Sequence, residues 1–65
     1  MRDQITEGKE VTLDSAHGQI RRIAVELQND VVRVCRREEY ELAKSEGRMP
    51  VTMGFKISDV LAVGA

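Results

Sequence analysis

Hydrophobic side chains recur along this chain mainly with a period of two. Val11 and Leu13 alternate with Glu10, Thr12 and Asp14, and Val51, Met53, Phe55 and Ile57 alternate with Thr52, Gly54, Lys56 and Ser58. Such alternation predicts strands with one buried and one solvated face. Two further strand-like runs, 23–28 and 31–36, flank Asn29-Asp30, a dipeptide that tolerates the positive φ angles of a tight turn. Counting outward from a two-residue loop pairs Gln28 with Val31, Leu27 with Val32, Glu26 with Arg33, Val25 with Val34 and Ala24 with Cys35. Hydrophobic partners then share one face, while Glu26 and Arg33 form an opposite-charge pair on the other, worth ~0.2–1 kcal/mol. Turn chemistry and pairing agree on one register. That register puts Val25 in the core, so Val25→Asp is expected to unfold the domain and Glu26→Ala to cost little.

Ile20 breaks the phase, because Ile23, Val25 and Leu27 lie on the opposite parity. Either an extra residue at Arg21-Arg22 makes a β-bulge, or the strand begins at Arg22 and Ile20 packs from a loop. Gly8-Lys9 and Asp14-Ser15-Ala16-His17-Gly18 read as turns. Residues 37–46 are good helix formers, with Glu38 and Glu39 in the first turn, Gly47 as the stop and Pro50 forbidding continuation. Tyr40 and Ala43, with Leu42 to one side, give it a narrow apolar stripe. A helix this short is marginal alone and must rest on the sheet. Ser58-Asp59 reads as a corner before a last short strand at 60–63.

Five short strands with one helix between the third and fourth make a mainly-β α+β fold, an antiparallel meander or small barrel. Gly8-Lys9-Glu10-Val11 leading into a long bent hairpin resembles the opening of an SH3-like barrel, and Ile57-Ser58-Asp59-Val60 resembles its final corner. The resemblance is one of architecture, and architecture does not carry function. Residues 1–7 are expected to form a flexible arm or short edge element, and 8–65 a single barrel-like domain.

Size and composition narrow the possibilities. A chain of 65 residues buries only about 60% of its unfolded surface, so its core is small and a partner chain would help it. Its one cysteine, Cys35, rules out an internal disulfide and suits a reducing compartment. With no signal-peptide or membrane-spanning pattern, the expectation is a cytoplasmic protein without a membrane partner. Net charge is −1, but it is unevenly spread. Residues 21–37 hold five arginines against Glu26 and Asp30, a balance of 5 − 2 = +3, and the rest of the chain balances at 5 − 9 = −4. Tyr40 and Phe55 are the only aromatics, too few for a base-stacking surface.

Candidate chemistry is sparse. His17 and Cys35 stand alone in kind, too few for a structural zinc site, and a Cys–His nucleophilic pair would need them in contact. Glu38 and Glu41 share a helix face that could hold a divalent cation weakly, but a solvated helix surface explains Glu38, Glu39 and Glu41 without strain and is the expected reading. No phosphate-binding glycine loop occurs. Neither a metal nor a cofactor is expected. Arg21, Arg22, Arg33, Arg36 and Arg37 remain as the candidate contact set. In the counted register Arg22 opposes Arg37, a like-charge pairing that calls for an acid or an anion between them. The expectation is a non-enzymatic interaction module working through its sheet surface or a strand edge, with a protein partner or a second copy. The alternative is a nucleic-acid-binding barrel using the arginines.

Overall fold

The computed structural model describes residues 2–64; Met1 and Ala65, the ends of the expected arm and barrel-like domain, lie outside the described residues. The strands are β1 (Glu10–Ser15), β2 (Gly18–Gln28), β3 (Val31–Cys35), β4 (Met53–Lys56) and β5 (Val60–Val63). One helix, α1 (Arg37–Glu46), separates β3 from β4, as the helix formers between Arg36 and Gly47 predict. All pairings are antiparallel, in the order β4-β3-β2-β1-β5.

The chain passes from one edge of this sheet to the other through a single 3-10 turn, Ile57–Asp59. Strands lie ~4.8 Å apart, so a flat five-stranded sheet would hold its edges ~19 Å apart. Three 3-10 residues advance only ~6 Å. The sheet must therefore curl. Two register shifts supply the extra twist, one between Ala24 and Glu26 and one between Thr12 and Leu13. The expected barrel nevertheless does not close: β4 and β5 are both edges, and no ladder joins them.

The bulge is the main departure from the counted register. Asn29, at φ 53°, makes the reversal, and Gln28↔Val31, Leu27↔Val32 and Glu26↔Arg33 pair as counted. Then Val25 is skipped, and the ladder resumes with Ala24↔Val34 and Ile23↔Cys35. The phase slip signalled by Ile20 is thus absorbed at Val25, not at Arg21-Arg22, where β1 and β2 pair without interruption. Backbone bonds hold Ala24 in place, since Gly8 N–H donates to Ala24 O and Ala24 N–H donates to Lys9 O, both at 2.8 Å. Val25 is accordingly only half-buried, while Ala24 is 1% exposed.

On the concave face the core gathers Ile5, Val11, Leu13, Ala24, Val32, Val34 and Val60, with Ile20, Leu27, Phe55 and Val63 against it. Ile5 brings the N-terminal segment into that core behind a 3-10 turn at Arg2–Gln4. Ile23, Cys35 and Ala43 are buried outside this cluster. Because Ile23 and Cys35 are register partners and α1 packs on β2, these three form a second apolar layer beneath the helix. Tyr40 adds a tether, its Oη donating to Glu7 Oε2 at 3.4 Å. Gly47, at φ 68°, ends the helix in the left-handed conformation, and Arg48 N–H closes the turn on Ala43 O at 3.0 Å.

Candidate binding surface at the β4 edge

The five arginines do not form one patch. Arg33, on the convex parity, is committed within the fold: its Nε donates to Thr52 Oγ1 at 2.9 Å and its Nη2 to Thr52 O at 3.5 Å. Arg37 opens α1 and pairs with Glu10 at 3.3 Å. Arg21 is exposed opposite Thr12. Arg22 and Arg36 are brought together, because both line the two grooves that flank Met53. The expected Arg22–Arg37 opposition is not found, since losing Val25 from the ladder moves Arg22 by one position, toward Arg36. Arg22 Nη1 donates to Arg21 O at 2.7 Å, and neither Arg22 nor Arg36 has an ion pair among the described residues.

The segment between α1 and β4 presents what the arginines flank. Met49, Val51 and Met53 are 73%, 77% and 62% exposed, the three most exposed large hydrophobic side chains among the described residues. They alternate with residues that hold the backbone still. Arg48 Nη1 bonds Glu39 Oε2 at 2.7 Å and Arg48 Nε bonds Glu46 Oε1 at 2.6 Å. Val51 N–H donates to Glu39 Oε2 at 2.9 Å. The Arg48 guanidinium, and after it the Val51 amide, hold the Glu39 carboxyl below its ordinary range, while Glu39 and Glu46 push Arg48 up. Glu39, read from sequence as a solvated helix acid, is thus the anchor of this strip. Nothing in the local sequence announces that bond, which spans nine residues.

β4 itself is an open edge. Ile57 N–H donates to Asp30 O at 2.8 Å, in the same register as Phe55↔Val32 and Met53↔Val34. By antiparallel alternation the N–H and C=O of Gly54 then point away from β3. A Cβ at Gly54 would meet Val31 Cγ1 at 3.1 Å, so glycine permits the close approach of that neighbour. Neither a bulge nor an acidic side chain interrupts β4, whereas the free edge of β5 is distorted by the irregularity opposite Thr12 and Leu13. Natural edges are blunted by such features. β4 is protected only by Lys56 and by its short length.

The groove inside this edge runs past Arg22, Arg36 and Met53 to Phe55, Ile20, His17, Asp14 and Asp59. Cys35 is buried, and burial followed by the nearby Glu39 charge pushes its thiol up. A protonated thiol is a poor nucleophile. His17 lies in the β1–β2 turn, its N–H donating to Ser15 Oγ at 3.2 Å, and does not line the cavity beside Cys35. Among the described residues no three His, Cys, Asp or Glu are grouped to hold a metal ion, and no helix is long and apolar enough to cross a membrane. No family model, curated protein or solved structure matches this chain, which leaves its own surface as the guide to what it does.

Proposed function

We propose that this protein is a non-enzymatic interaction module that binds an extended protein segment along β4. The observation that carries the reading is the strip Met49, Val51 and Met53, exposed beside an open strand edge and tied down by Glu39, Arg48 and Thr52. Strand addition draws affinity from main-chain hydrogen bonds and specificity from alternate side chains. Gly54 offers the first and the methionines with Val51 the second. A backbone already tied down loses little further entropy when it is covered, so the cost falls on the methionine side chains. Phosphate tracking has weaker support, because Arg33 and Arg37 are engaged within the fold and Arg21 lies on the opposite parity from Arg22 and Arg36.

Selection from a random-peptide library tests the reading. The expected ligands perturb amide resonances of residues 49–56 and are lost in Met53→Lys, but not in Arg21→Glu. Ligands that map instead to α1 or β5 refute it. So does salt-sensitive retention of mixed RNA and DNA that Met53→Lys leaves intact.

A further inference from the structure

We infer that the segment bound along β4 is β4 of a second copy of this chain, giving a two-fold dimer with a continuous sheet. This rests on the reading of β4 as the binding edge and names its occupant. Antiparallel self-pairing centred on Gly54 sets Met53 opposite Phe55 of the other copy; continued past the start of β4, the same count brings Thr52 level with Lys56 and Val51 level with Ile57, which opens the 3-10 turn. Each copy thus covers the other's exposed Met53 and carries Ile57 toward its exposed Val51, and the two Lys56 side chains stay apart. Two glycines meet at the centre, so neither adds a side chain of its own there, where Val31 and Arg33 already lie close.

Charge favours the same arrangement. In the β3–β4 register Arg36 lies two residues beyond Val34↔Met53, next to the start of β4, with Arg22 in the same groove. Asp59 follows the end of β4, and Asp14 adjoins Leu13, the partner of Val60. The groove is therefore basic at one end and acidic at the other, and no ion pair joins the two among the described residues. An antiparallel copy brings the arginine end of each chain to the aspartate end of its partner. A uniformly acidic or basic ligand would meet one end with the wrong sign. A two-fold interface uses one patch twice, which this edge satisfies. Because β4 is short, the dimer should be weak and seen only at high protein concentration.

Sedimentation equilibrium on the full chain and a charge exchange test this. The wild type is expected to show concentration-dependent dimers. Arg36→Asp and Asp59→Arg, each folded by circular dichroism, should be monomeric alone at the same concentration. Mixed one to one they should dimerise again, because the mixture restores both contacts of opposite sign. A wild type that stays monomeric at 1 mM overturns the inference, as does a mixture no more associated than its components or a dimer unaffected by Met53→Lys. If the peptide ligands above still map to β4, the interaction reading stands and only the second copy as partner is lost.

Discussion

Moving the irregularity to Val25 has a measurable consequence, because it exchanges the roles of two neighbouring residues. Ala24, 1% exposed and opposite Val34, is the inward residue, while Val25 is half-buried beside Glu7, Glu26, Tyr40 and Lys44. An aspartate at position 24 would face the apolar core, where its carboxyl must be neutral. Keeping a group of ordinary pKa near 3.9 protonated at pH 7 costs about 4 kcal/mol. The extra volume in a packed site adds about 1–3 kcal/mol. A 65-residue domain has only about 3–10 kcal/mol in total. Ala24→Asp should therefore unfold most or all of the protein at pH 7. Val25→Asp loses part of one valine's burial, about 1–2 kcal/mol, and should remain folded. The introduced carboxyl at position 24 has a folded pKa above its unfolded value, so its penalty is full at neutral pH and shrinks as pH falls. Ala24→Asn has a similar size without that charge and should lack that dependence. Urea denaturation followed by circular dichroism at pH 7 and pH 4.5 separates these outcomes. If Val25→Asp proves the more damaging of the two, the uninterrupted register is right and the bulge is misplaced.

Two further outcomes follow from the site. Because the folded-state Glu39 carboxyl sits below its ordinary range, its contribution is complete above the unfolded pKa and is lost as pH falls through the folded one. Glu39→Gln should flatten the acid limb of thermal stability and speed amide exchange at Val51; an unchanged acid limb would remove Glu39 as the anchor of the strip. Cys35, buried and with its thiol raised, should react with a disulfide reagent only as fast as the domain opens; rapid stoichiometric labelling of the native protein would contradict that.

Local pattern determined much of this protein. Alternating hydrophobic residues placed β1 and the hairpin, and Asn29-Asp30 set the reversal and its first three pairs; of the alternating run 51–57 only Met53–Lys56 is strand, and Val51 and Met53 on its expected buried face are exposed. Gly47 ended α1 at Glu46, and Pro50 lies just beyond it. These features follow from interactions between near neighbours, which a linear pattern records. Tertiary structure decided the rest. Ile20 announced a slip in phase, but neither a bulge at Arg21-Arg22 nor a strand start at Arg22 is where the fold absorbed it. Backbone bonds from Gly8 and Lys9 to Ala24 left Val25 as the residue without a ladder partner. The same shift redistributed the arginines: one residue displaced Arg22 from Arg37 toward Arg36, while Thr52 and Glu10 claimed Arg33 and Arg37. Whether the sheet closed depended on how far curvature carried β4 toward β5, a sum over every strand crossing. Contacts such as Glu39 with Arg48 and Val51 form only once the chain has folded back on itself, and no periodicity along the sequence encodes that distance.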